Sequence, residues 1–119
     1  MSRRNRFEGI ENQQHIHYAM PLRTMIYDSL SYLRRAEEMI RKNRKDKTFK
    51  TADEFLSGMK KEDRLVPCYT LVIYWGESKW DGPRCLEDMM EFGIEERNEP
   101  YFQNYGPSAL CKRDGRIPL

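Results

Sequence analysis

One stretch of the chain carries a helical repeat. Leu22, Met25, Ile26, Leu30, Leu33, Ala36, Met39 and Ile40 recur at three- and four-residue steps, which predicts a long amphipathic helix running to about residues 41–43. Pro21 stands where proline is best tolerated, in the first turn. Ahead of it, Phe7 to Gln13 reads as a short strand weakened by Gly9, and Gln14 to Met20 as a connection. Val66 to Trp75 is a nearly continuous β-branched and aromatic run closed by Gly76, the pattern of a strand covered on both faces. Between helix and strand, Lys42 to Ser57 is a charged, solvated excursion in which Thr51 to Leu56 has room for one helical turn before Gly58. Trp80-Asp81-Gly82-Pro83-Arg84 supplies turn residues, and Leu86, Met89, Met90 and Phe92 then predict a shorter helix over Arg84 to Phe92. Glu95 to Gln103 is helical in part on this reading, and Asn104 to Leu119 has no period and reads as an irregular tail.

The order strand, long helix, strand, helix predicts an α/β fold with a central sheet flanked by helices. Two strands cannot bury the second of them on both faces. The missing neighbours come either from the tail and the N-terminus or from parts of a complete domain outside this chain, and the second source is the one expected. At 119 residues and 39% hydrophobic content the chain suits one core, with residues 1–92 as the domain and 93–119 as a poorly defined tail.

Charged residues reach 34% and the net charge is only +2, but the charge is unevenly placed. Arg34, Arg35, Arg41, Lys42, Arg44, Lys45, Lys47 and Lys50 make a basic stretch, and Glu87, Asp88, Glu91, Glu95, Glu96 and Glu99 an acidic one. The three cysteines, Cys68, Cys85 and Cys111, form no Cys-x-x-Cys pair, so neither a disulfide framework nor a zinc knuckle is indicated. Met1 to Arg6 is followed by no apolar segment of a signal peptide, and no apolar run nears the ~20 residues of a membrane span. A cytoplasmic location away from membranes is expected.

Glu11 and Gln13, two apart on the first strand, project to one side. A carboxylate beside a positioned polar group can hold a divalent cation and a water, although a solvated edge strand presents the same triplet. Ile10-Glu11-Asn12-Gln13, Tyr18 to Asp28 (YAMPLRTMIYD), Glu54 to Gly58 (EFLSG), Thr70 to Gly76 (TLVIYWG) and Trp80 to Arg84 (WDGPR) together resemble the recombination-promoting nuclease (Rpn), YhgA-like transposase family of the PD-(D/E)XK nuclease superfamily. The likeness spans about Phe7 to Phe92 and lies in five segments in order, none specific alone.

The resemblance implies a partial restriction-endonuclease-like core, DNA as substrate, and Mg²⁺ held by an Asp on one strand and a Glu on the next. Glu11 matches the metal-binding Glu, and Gln13 the following position that places the attacking water. Such chemistry needs a hard cation held by oxygens, which polarises the phosphate and acidifies bound water. An amide does not titrate, so Gln13 would orient rather than deprotonate. Arg23 and Tyr27, at i and i+4, share a helix face and would lie near the scissile phosphate, although Tyr27 also suits a core. Met1 to Ile10 holds no Asp, only Glu8, whose odd spacing from Glu11 puts it on the opposite face. An N-terminally truncated member, inactive alone, is therefore expected.

Other signals compete. His15-x-His17 has the spacing of a zinc pair without further ligands. Arg34, Arg35, Arg41 and Lys42 would contact DNA phosphates or form a solvated helix face. Tyr74, Trp75 and Trp80 could stack on bases or pack a core. Three function classes follow: a Mg²⁺-dependent endonuclease acting in recombination or transposition, a non-catalytic remnant that binds DNA or a second copy in a homodimer, and a plain protein-interaction domain.

Overall fold

A computed structural model of the chain describes residues 7–92, 100–107 and 109–112, with side chains described at 9–92 and 100–107. Strand β1 (Phe7–Gln13) leads into helix α1 (Met20–Asp46), followed by the short helix α2 (Ala52–Ser57), strand β2 (Tyr69–Tyr74), a one-turn 3₁₀ helix (Leu86–Met89) and strand β3 (Ala109–Lys112). The fold is thus mixed α/β with a long helix after the first strand.

The sheet has the order β1-β2-β3 and all pairs are parallel. Glu11 stands opposite Val72 and Gln13 opposite Tyr74, while Leu71 to Tyr74 pair with Ala109 to Lys112. The third strand corrects the expectation of an irregular tail: four of its residues complete the far side of β2, so at least one missing neighbour comes from this chain. So short a segment carries too few residues to show a period.

β2 is also shorter than the Val66–Trp75 run and is not covered on both faces. Thr70, Val72 and Tyr74 are buried under α1, whereas Leu71 and Ile73 are only half-buried and their neighbour Ile10 is 58% exposed. Among the described residues the sheet is therefore covered by helix on one side, not flanked on both. A run of β-branched residues records strand propensity as well as burial, so the continuous apolar stretch overstated the second.

α1 starts with Pro21 at its beginning and ends at Lys47, whose left-handed backbone (φ 54°) lets its N–H bond Asn43 O. Two of its side chains tie down the entry to β2: Arg35 donates to Val66 O, and the Tyr32 hydroxyl accepts from the Cys68 N–H at 2.7 Å. The face turned to the sheet carries Met20, Thr24 and Asp28. The apolar row Leu22, Ile26, Leu30 and Leu33 points elsewhere and is 38–55% exposed. The well-buried core is small: Met20, Val72, Tyr74 and Trp80, backed by Ile16, with Tyr74 and Trp80 edge to face at 5.3 Å between centroids.

The predicted turn at Thr51 to Leu56 forms. Thr51 caps α2 by accepting the Glu54 N–H at 3.1 Å, and Gly58 ends it at φ +78°. The predicted Arg84–Phe92 helix does not form beyond one turn. Asp88 turns back to accept from the backbone N–H of Arg84 and Cys85, the Leu86 N–H goes to Tyr105 O, and only Leu86 is buried, too little to support a longer helix. Among the described residues no helix is long and apolar enough to cross a membrane. The partial helix expected over Glu95 to Gln103 falls largely outside the described residues; 100–107 is non-helical.

Candidate functional site

Four of the residues singled out in the sequence meet at one place. Glu11 and Gln13 project from the same face of β1, and the Gln13 amide donates to Glu11 Oε2 at 3.3 Å. From the first turn of α1, Arg23 brings its Nε to 3.3 Å from Glu11 Oε1; the two side chains are 38% and 14% exposed. This approach is an ion pair without hydrogen-bond alignment, so the buried Nε has no hydrogen-bond partner. One turn on, the Tyr27 ring lies under the guanidinium, with Cζ 5.3 Å from its centroid. Beside this group, His17, Leu22, Arg23, Ile26 and Tyr27 line a largely apolar cavity of about 310 Å³.

The remaining predicted contacts are not part of that group. Arg34, Arg41 and Lys42 are exposed along α1. Arg34 and Arg41 lie three and five helical turns beyond Arg23 and share its side of the helix. Arg35 is turned to the β2 entry instead, where it serves the fold. His15 and His17 line different cavities, and His17 Nδ1 accepts the Ala19 N–H at 3.1 Å. Among the described residues no group of three or more His, Cys, Asp or Glu could hold a metal, so the zinc pair finds no further ligand.

The same test applies to Mg²⁺. Glu11 offers one carboxylate, with a guanidinium beside one oxygen and an amide N–H on the other. Mg²⁺ demands a near-octahedral oxygen shell, and this donor set is too small and too neutralised to fit it. Asp28 adds nothing to it, because both its oxygens are engaged: Oδ1 by the Thr70 hydroxyl at 3.1 Å and Oδ2 by the Tyr105 hydroxyl in a short hydrogen bond. Burial, then this bond to Asp28, pushes the Tyr105 hydroxyl well above its ordinary pKa.

Asp28 was not anticipated. Its signal is the row Met20, Thr24, Asp28, whose helical spacing marks a second, mostly polar face of α1. Two further links were also hidden, because they join residues 63 apart: Trp75 Nε1 donates to Asn12 Oδ1 at 3.0 Å, and the Tyr18 hydroxyl to Asp81 at 2.8 Å.

No known family, curated protein or solved structure matches the chain.

Proposed function

We propose that this chain is related to the recombination-promoting DNA endonucleases of the PD-(D/E)XK kind, and that it binds the DNA backbone without cutting it. The observation that carries this reading is the Glu11–Gln13–Arg23–Tyr27 group. A half-exposed guanidinium is held by an aromatic ring on one side and a carboxylate on the other, beside the carboxyl ends of parallel strands. Arginine in that setting suits a phosphate diester, and Arg34 and Arg41 lie on the same side of α1, with Glu37 and Glu38 between them. Glu11, paired with Arg23 and Gln13, does not fit Mg²⁺ among the described residues, so this reading carries no metal-dependent step.

The test is fluorescence anisotropy of a labelled duplex across a salt series. Arg23→Ala should weaken binding and flatten the dependence of log affinity on log salt by about 0.9. Glu11→Gln should tighten binding, because it frees the guanidinium and removes a charge that repels phosphate. Supercoiled plasmid with Mg²⁺ should stay intact; nicking that Glu11→Gln abolishes would replace the binding reading with a complete active site. Salt-independent or absent DNA binding would refute the proposal.

One observation favours a second reading, a protein-interaction domain: the exposed row Leu22, Ile26, Leu30 and Leu33 on α1. Self-association without DNA binding, relieved by Leu30→Glu, would support it.

A further inference from the structure

The row Leu22, Ile26, Leu30 and Leu33 runs along α1 for about 17 Å, at 1.5 Å per residue. Leu22, Ile26 and Leu30 each stand two residues, about 200° around the helix, from Thr24 or Asp28, which meet the sheet. The row therefore faces directly away from the rest of the fold. No member stands out by itself at 38–55% exposure, but together they form one continuous apolar strip, the kind of surface that marks a contact. Two further features lie along it. At one end is the largely apolar cavity of about 310 Å³, whose walls include Arg23, Ile26 and Tyr27. At the other end the next position of the same row, four residues after Leu33, is the exposed Glu37.

We propose that α1 packs antiparallel against α1 of a second copy of this chain, about a two-fold axis at Leu30. The proposal rests on the protein-interaction reading of this row and names the partner. In a two-fold pair every contact is reciprocal. Centring it on Leu30 sets that residue against its own copy, residue 33 against 27 and residue 37 against 23. Leu33 of each copy then enters the partner's cavity between Ile26 and Tyr27, as an apolar anchor in a pocket. Glu37 reaches the partner's Arg23. That guanidinium approaches Glu11 through Nε, and with five donors it can serve a second carboxylate.

Charge selects both the partner and the direction. A parallel pair would set Arg23, Arg34 and Glu37 each against its own copy, and like charges facing one another are unfavourable. Antiparallel packing turns the same residues into two opposite-charge contacts at the ends of an apolar strip. A nucleic acid would leave the leucines uncovered, since phosphates gain nothing from them.

The experiment is sedimentation velocity of the full chain over a concentration series without DNA, with far-UV circular dichroism as the check on folding. The unmodified protein is expected to pass from monomer to dimer as its concentration rises. Leu30→Glu and Leu30→Lys should each fold, because Leu30 is 55% exposed, and each should be monomeric, because the axis brings like charges together. An equimolar mixture of the two should recover the dimer, since at this register residue 30 meets residue 30. Glu37→Arg should weaken the dimer roughly 2- to 30-fold through its two exposed ion pairs. Glu37 lies on the surface, so this variant tests the register even if those at Leu30 fail to fold. A dimer that withstands both Leu30 substitutions would place the interface elsewhere and overturn the proposal. Monomeric Leu30 variants whose mixture stays monomeric, with a Glu37→Arg dimer as tight as the unmodified one, would overturn the antiparallel pair and leave the row standing as an interaction surface. A monomer at every concentration would refute both. Duplex binding through Arg23 is measured on the Leu30→Glu monomer, so the phosphate reading is tested apart from this one.

Discussion

Replacing Asn43 should open the joint between α1, α2 and the segment that leads to β2. Asn43 is buried near the end of α1, and its Nδ2 donates to Gly58 O at 2.9 Å and to Asp63 Oδ2 at 2.8 Å. A neutral hydrogen bond contributes about 0.5–1.5 kcal/mol and one to a charged group about 1.5–3 kcal/mol. Asn43→Ala removes both and leaves a carbonyl short of a donor, which puts the loss at about 2–4 kcal/mol. With a urea slope of about 2 kcal/mol per molar, the midpoint should fall by about 1–2 M at unchanged slope. Asn43→Asp is the sharper variant. It sets a second carboxylate against Asp63, whose own pKa is held low by the Lys60 backbone N–H first and by Asn43 second. The like charge raises the pKa of the pair in the folded state, so the folded variant binds the extra proton more readily than the unfolded chain. Its deficit should be largest at neutral pH and shrink on acidification. Urea titrations at pH 7 and near pH 4 test this. An Asn43→Ala midpoint within error of the unmodified protein, or an Asn43→Asp variant as stable as Asn43→Ala at neutral pH, would refute the reasoning.

Two other outcomes concern the same region. The Glu54 carboxylate accepts the backbone N–H groups of Lys50 at 2.7 Å and Lys61 at 2.8 Å, which hold its pKa below the ordinary value of 4.5, as Asp63 lies below 3.8. With folded values depressed, the unfolded chain binds more protons; stability is full above the ordinary values and is lost as pH falls through the depressed ones. Thermal unfolding followed across that range should show this acid limb, and Glu54→Gln should flatten it. Gly58→Ala should cost about 1–3 kcal/mol, because φ is +78° and the new Cβ would come within 2.7 Å of Ile40 Cγ2. A melting point lowered by roughly 5–10 °C is the expected readout, and an unchanged one would show that the turn relaxes freely.

The elements with local causes were legible. The 27 residues of α1 carry their own period and proline start, Thr51 and Gly58 bracket α2, and the alternation that puts Glu11 beside Gln13 is a property of any strand. The i, i+4 spacing likewise joins Arg23 to Tyr27 before any fold is known. What the sequence could not settle was which side of α1 meets the sheet. Its period marks Leu22, Ile26, Leu30 and Leu33 as the apolar row, yet Met20, Thr24 and Asp28 are the residues buried against β2, because Asp28 finds Thr70 and Tyr105, 42 and 77 residues away. Asn12 meets Trp75 and 109–112 pairs with β2 because parallel strand pairing brings partners in across long connections, whereas Arg23 reaches Glu11 because the short 14–19 connection sets the start of α1 beside β1. Residue pattern therefore determined this protein's elements and the local direction of their side chains. The partners of those side chains, and so the candidate site, were decided by the tertiary structure, since contacts between distant residues leave no trace in the periodicity of either segment.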